Sequence, residues 1–205
     1  MPMSDVEQMQ MVKSWVKEYG YPILFSIVVF MIASFGWRYW QKHKANKLEY
    51  ANVIYSQMIE AYGQKKNEEF RLFGEKIIKD HSGSIYASLS ALMLAKSYVD
   101  AEDLKSAEEK LQFVIKKSSS KEIRELALVR MARILIAKKE PQKALDLLVV
   151  EDSGFYKAMV YEVRGDAFLK LGKKDEAEKS YLKAQELNKN MKLKSPLLKI
   201  KMQQF

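Results

Sequence analysis

The stretch YEVRGDAFLKLGKKDEAEKSYLKA, running from Tyr161 to Ala184, decides how the rest of the chain is read. Its apolar residues recur at helical spacing on both sides of a polar interruption, Gly172-Lys173-Lys174-Asp175, so it reads as two helices joined by a short turn. Gly165 and Ala177 are small where two antiparallel helices must cross closely. Gly172 suits the left-handed residue that ends a first helix. Phe168 and Tyr181 are large enough to fill the space between these helices and a neighbouring pair. Asp175, Glu176 and Glu178 open the second helix, where carboxylates favour the positive dipole end.

With its aromatic, small, aromatic, Gly, Ala, aromatic and Ala positions, this unit resembles a tetratricopeptide repeat. The pattern returns upstream in weaker form. Ala132, Leu135, Ala144 and Leu148 occupy corresponding places, and so do Ala95, Tyr98, Ala107 and Leu111. Ala107 to Ala144 is 37 residues and Ala144 to Ala177 is 33, steps that bracket the ~34-residue period of this repeat class. A degenerate fourth pair is expected over Ala45–Tyr62 and Asn67–Asp80, with Tyr55, Met58, Phe70, Phe73 and Ile77 as its core. Ser195-Pro196 opens a last helix, Pro standing in the first turn where its missing N–H costs nothing. That helix, through Phe205, is expected to cap the stack by covering the last apolar face. No stretch after Lys42 alternates like a strand, and helices of about twelve to eighteen residues are expected throughout. The fold class is therefore all-α, a solenoid of about four helical hairpins plus a capping helix.

Ahead of the repeats, Tyr19 to Trp37 carries no charged residue. At ~1.5 Å per residue such a helix approaches the ~30 Å hydrocarbon core of a bilayer. Trp15, Tyr19 and Tyr21 on one side, and Trp37, Tyr39 and Trp40 on the other, form aromatic belts suited to the headgroup level. The absence of a polar face argues against a buried helix of a soluble protein. A cleaved signal peptide is disfavoured, because Trp37, Tyr39 and Trp40 crowd the place where a protease needs small residues. Ser26, Ala33, Ser34 and Gly36 are small and read as lipid-facing, or as room for a close helix neighbour. Ser4-Asp5-Val6-Glu7 has the form of a capping box, and Val6, Met9, Val12 and Val16 give the segment after it an apolar face. The expected domains are an amphipathic segment over 1–20, a single transmembrane anchor over 21–40 and a helical-repeat domain over 41–205.

The chain has 205 residues and a formal net charge of +9. Four of the positive charges, Arg38, Lys42, Lys44 and Lys47, follow the span directly, against Lys13 and Lys17 before it. On the positive-inside rule this bias would leave the large domain cytoplasmic. Downstream, charges mostly alternate in sign along helices, the pattern of a solvated face, and no nucleic-acid-binding motif accompanies them. With no cysteine, disulfides, thiolate nucleophiles and Cys-ligated zinc are excluded. The only histidines are His43, among lysines, and His81, in Asp80-His81-Ser82-Gly83-Ser84, which reads as a helix-ending polar turn and not a triad. No His pair, calcium loop or Gly-rich phosphate loop appears, so neither catalytic residues nor metal or other cofactors are expected.

A stack of such repeats offers a concave groove lined by the first helix of each pair. The aligned groove candidates are Leu89, Leu92 and Lys96, then Leu126, Val129 and Arg133, then Met159, Glu162 and Asp166. The Lys/Asn carboxylate clamp of co-chaperones of this class is not reproduced. A mixed apolar groove suits an extended or helical partner segment, although the same residues would also serve as helix-packing positions.

The whole chain resembles the ancillary SecYEG translocon subunit family of Gram-negative bacteria. Gly36-Trp37-Arg38-Tyr39-Trp40, Tyr86-Ala87-Ser88-Leu89 with Leu94-Ala95, Arg130-Met131-Ala132-Arg133, and Arg164-Gly165-Asp166-Ala167 with Lys170–Lys174 carry the resemblance. It implies a non-enzymatic protein of the inner membrane with its N-terminus cytoplasmic and its repeats periplasmic, opposite to the charge bias. It also implies association with the SecYEG channel, with a membrane-anchored periplasmic isomerase-like chaperone and with newly translocated polypeptides. A scaffold for another envelope complex and a cytoplasm-facing adaptor are the alternatives.

Overall fold

A computed structural model describes residues 5–148, 154–191 and 195–203, apart from the side chains of residues 5–7, 12 and 44–47. The described residues form helices α1 (Asp5–Gly63), α2 (Asn67–Asp80), α3 (Ile85–Asp100), α4 (Leu104–Lys117), α5 (Lys121–Ala137), α6 (Pro141–Leu147), α7 (Lys157–Lys170), α8 (Lys174–Asn190) and α9 (Pro196–Met202). Contacts divide the chain into two units, Met1–Glu49 and Tyr50–Phe205. No helix break falls at residue 20 or 40, because α1 runs through both positions. The expected capping-box serine, Ser4, lies outside the described residues.

In the first unit, α1 is long and apolar enough to cross a membrane. Its most apolar 18-residue window has a mean hydropathy of 1.8 and none of it is buried. Pro22 lies inside the helix and removes one backbone donor. The Ser26 hydroxyl donates to the Pro22 carbonyl at 2.8 Å. All three tryptophans of the chain lie here, and each pairs with or sits near another ring. Trp15 and Tyr19 have ring centroids 6.0 Å apart, and Trp37 and Trp40 5.5 Å apart.

The second unit is built from four helix pairs closed by one recurring turn. After each first helix stands a residue with positive φ: Lys65 at 58°, Glu102 at 59°, Lys139 at 63° and Gly172 at 76°. In each, the following N–H reaches back five residues. Lys66 donates to the Ala61 carbonyl at 2.9 Å, Asp103 to Tyr98 at 2.9 Å, Glu140 to Leu135 at 2.8 Å and Lys173 to Phe168 at 2.9 Å. This is the Schellman closure, which satisfies carbonyls that the helix end leaves open. Hydroxyl and carboxylate caps start the next helices. Ser84 accepts from the Ala87 N–H, Asp103 from Ser106 and Ser120 from Ile123, at 3.1, 3.1 and 3.2 Å. The Asp80–Ser84 segment is thus a helix end and the next helix's cap.

Counting from the turn residue shows how each pair packs. Seven positions before it stand Met58, Ala95, Ala132 and Gly165; nine after it stand Gly74, Leu111, Leu148 and Tyr181. All eight are buried. Bulk lost on one helix is regained on the other. A Cβ on Gly74 would come within 2.9 Å of Met58 Cε, and one on Gly165 within 2.5 Å of Tyr181 Cε1. Ala95 shares a core cluster with Leu111, and Ala132 with Leu148. The degenerate first pair therefore keeps the register but moves its small residue from the first helix to the second. Met58, Phe70 and Ile77 are buried there, with Tyr55 and Phe73 packed against them.

One expectation fails in length. Helix α6 has only 7 residues, short of the twelve expected. The Leu148 carbonyl at its end is taken by Arg164 Nη1 at 2.9 Å, an alternative to another helical turn. Helix α9 likewise has 7 residues, with Leu198 buried against Ala177, Tyr181 and Ala184.

Candidate functional site

Helices α3, α5 and α7 are the first helices of their pairs, and the nine groove candidates divide among them by depth. Leu92 and Val129 are buried, at 5% and 0% exposure, in two different core clusters. They pack the stack and present almost no surface. Leu126 and Met159 are half-buried against the same clusters, and Leu89 is half-buried on α3. Lys96 and Arg133 are exposed.

Glu162 and Asp166 on α7 are engaged by the chain itself. Lys201 Nζ, from α9, lies 2.8 Å from Glu162 Oε1 and 2.7 Å from Asp166 Oδ2. The Tyr181 hydroxyl donates to Asp166 Oδ1 at 2.7 Å. Burial first, and that hydrogen bond second, push the Tyr181 pKa up. Glu162 is only 6% exposed, and an unpaired charge at that depth would be costly. Helix α9 thus covers the α7 stretch of the candidate surface.

Between α3 and α5, with α4 behind them, a pocket of about 330 Å³ remains. Buried Ala95, Leu111 and Ile134 form its base, and Lys96, Arg130 and Arg133 line it as well. Arg130 is positioned by donating from Nη1 to the Leu92 carbonyl at 3.1 Å, a bond from α5 to α3. Burial first, then the neighbouring Arg133 charge, lower the Arg130 pKa. Lys96 pairs with Asp100 at 2.6 Å along α3. A second cleft of about 650 Å³ lies between α5 and α7, lined by Arg133, Lys139, Asp166 and Lys170 among others. Among the described residues no group of three His, Asp or Glu side chains is gathered to hold a metal.

Arg130 and Lys201 were not among the candidates read from spacing. Arg130 stands one position past Val129, ~100° further around α5, so the spacing that marks Val129 does not mark it. Lys201 carried a weaker signal in charge, since the last turn of α9 is basic and Glu162 has no cation three or four positions away on α7. The aromatics expected at a membrane interface, Trp15, Tyr19, Trp37, Tyr39 and Trp40, are 47–76% exposed on α1.

Comparison with known proteins accounts for both the span and the repeats. The tetratricopeptide repeat-like domain family matches residues 13–205, anchor included. An ancillary SecYEG translocon subunit of Aggregatibacter actinomycetemcomitans is 30% identical over 183 residues, covering 88% of this chain and 88% of that one. The chain belongs to this family. The ancillary SecYEG translocon subunit of Buchnera aphidicola subsp. Acyrthosiphon pisum is 30% identical, over 79% of this chain and 83% of its own. That of Escherichia coli strain K12 is 26% identical, over 85% and 84%. Membership in the ancillary SecYEG translocon subunit family agrees with one apolar helix followed by helical pairs, and it fits an inner-membrane location.

Proposed function

We propose that this chain is a non-enzymatic accessory subunit of the SecYEG translocon whose repeat domain holds partner proteins in the groove of α3, α5 and α7. The observation that carries the docking role is the pocket between α3 and α5, which the chain's own helices leave open with an apolar base. The naming of the relatives as ancillary SecYEG translocon subunits supports the translocon assignment. In this reading α1 anchors the protein in the inner membrane with its N-terminus cytoplasmic. The repeats are periplasmic, where they meet a membrane-anchored isomerase-like chaperone and newly translocated chains. Lys96, Arg133 and the half-buried Leu89, Leu126 and Met159 are the contact residues, while Leu92, Val129, Glu162 and Asp166 shape the surface from within.

The test is photocrosslinking from a reactive side chain at Lys96 or Arg133 in native membranes. Adducts with a SecYEG component or a periplasmic chaperone are expected. Adducts only with another envelope complex, and co-purification without any translocon subunit, would replace the reading with that of a scaffold for a different machine. Arg38 and Lys42, exposed just beyond the span, favour a cytoplasmic domain on charge alone. A reporter fused after Phe205 decides between the two orientations. Alkaline phosphatase activity is the expected result, and fluorescence of a cytoplasm-dependent reporter would reverse the topology.

A further inference from the structure

The pocket between α3 and α5 is selective in charge as well as shape. Its base is supplied by buried Leu111 and Ile134, and among the described residues no carboxylate lines it. Three cationic side chains, Lys96, Arg130 and Arg133, surround that base. Arg130 commits one nitrogen to the Leu92 carbonyl, which fixes the guanidinium and leaves further donors on its planar fork. Arg133 follows it three positions on, on the same side of α5, so a half-buried guanidinium and an exposed one stand together at the pocket. An anion between them would relieve that repulsion and accept from both.

The cationic excess continues along the groove. Arg133 also lines the next cleft, together with Lys139 and Lys170. The carboxylate there, Asp166, has one oxygen accepting from Tyr181 and the other held by Lys201, so it does little to neutralise those cations. Such a strip attracts acidic segments and repels basic ones.

We infer that the α3–α5 pocket takes a partner-protein segment in which a leucine-sized apolar side chain stands beside a carboxylate. The apolar side chain meets Leu111 and Ile134, and the carboxylate lies between Arg130 and Arg133. The pocket's volume suits one or two large side chains. A nucleic acid fits less well, because no aromatic ring lines the pocket to stack a base. This inference rests on the docking role proposed above and specifies what the groove prefers.

The test uses the full chain in phosphatidylcholine nanodiscs, with empty discs as blank. Two fluorescein-labelled peptides serve as probes. One alternates Glu with pairs of Leu, and its twin has Lys in place of each Glu. In anisotropy titrations the Glu peptide is expected to bind at least about tenfold more tightly than its twin, given the strength of charge-assisted pairs. The gap is expected to narrow with salt. Arg133→Glu is expected to weaken the Glu peptide about tenfold or more and to strengthen the twin. Ala137→Phe, which adds bulk at the lining of the same pocket, is expected to weaken both with unchanged far-ultraviolet circular dichroism. Equal binding of the twins, a folded Arg133→Glu protein whose affinities for both peptides match those of the unaltered chain, or displacement of the Glu peptide by an equimolar thymidine oligonucleotide would each overturn the inference. If crosslinks from Lys96 to translocon partners persist while the twins bind alike, only the charge preference falls. If those crosslinks are absent as well, the docking role falls with it.

Discussion

The reciprocal sizes at the helix crossings make one double substitution especially informative. Replacing Gly165 by Ala would place a methyl group 2.5 Å from Tyr181 Cε1, 2.6 Å from Cδ1 and 2.9 Å from Cζ. Ordinary carbon contacts lie at ~3.5–4.0 Å, so the ring must retreat by about 1 Å. It has little freedom to do so. Tyr181 is 1% exposed, and its hydroxyl is tied to Asp166 at 2.7 Å. Overpacking of this kind costs ~1–3 kcal/mol, against a gain of about 1 kcal/mol from replacing a mid-helix glycine, so Gly165→Ala is expected to cost about 0–2 kcal/mol. Tyr181→Leu alone gives up the ring's packing and a hydrogen bond to a carboxylate, at about 2–3 kcal/mol. The double variant recreates the Ala-with-Leu combination of the two preceding pairs, Ala95 with Leu111 and Ala132 with Leu148. The clash term vanishes while the glycine gain remains. The double variant should therefore be destabilised by at least about 1 kcal/mol less than the sum of the singles. Urea unfolding of the full-length chain in mild detergent, followed by far-ultraviolet circular dichroism, measures all three. In a domain of this size, 1 kcal/mol corresponds to roughly 2–4 °C in Tm. Additivity within ~0.5 kcal/mol would refute the crossing geometry.

The other expectations use the same measurement. Glu102→Gly and Lys139→Gly, each at a positive φ that favours glycine, should stabilise by about 1 kcal/mol, and Gly172→Ala should destabilise by a similar amount. Lys201→Ala leaves Glu162 buried without its cation and should cost about 2–3 kcal/mol, whereas Lys199→Ala, exposed on the same short helix, should change stability by less than ~0.5 kcal/mol. Because the folded Tyr181 pKa is raised above its unfolded value near ~10, the unfolded chain loses that proton first as pH rises. The stability linked to Tyr181 is thus intact below pH ~10 and should fall by about 1.4 kcal/mol per pH unit above it, a component that Tyr181→Phe removes.

Much of the repeat architecture was legible because it depends on residue size at fixed spacing. Ala107, Ala144 and Ala177 are wholly buried, as the spacing requires, and the span announces itself through an uncharged run between aromatic belts. The first pair was visible only in outline. Reading for a small residue at the Met58 register finds a large one, and the compensating Gly74 sits on the other helix, where a single-position search does not look. The groove was harder still. Whether Val129 or Arg130 faces the cleft turns on the rotational setting of α5, where adjacent residues stand ~100° apart, and that setting is fixed by packing against α4 and α6. The closure by α9 depends on two carboxylates meeting a lysine far along the chain. Residue periodicity within one helix carries no information on such a meeting.

The placement of the tryptophans has a spectroscopic consequence. All three, at positions 15, 37 and 40, belong to the anchor segment, and the repeat domain has tyrosine alone as its native strong chromophore. Light absorbed at the red edge, where only indole responses survive, reports the N-terminal part of α1 and is blind to the repeats. Lipid-borne quenchers placed at graded depths can therefore map how the span sits while a ligand is titrated onto the groove, with neither signal contaminating the other.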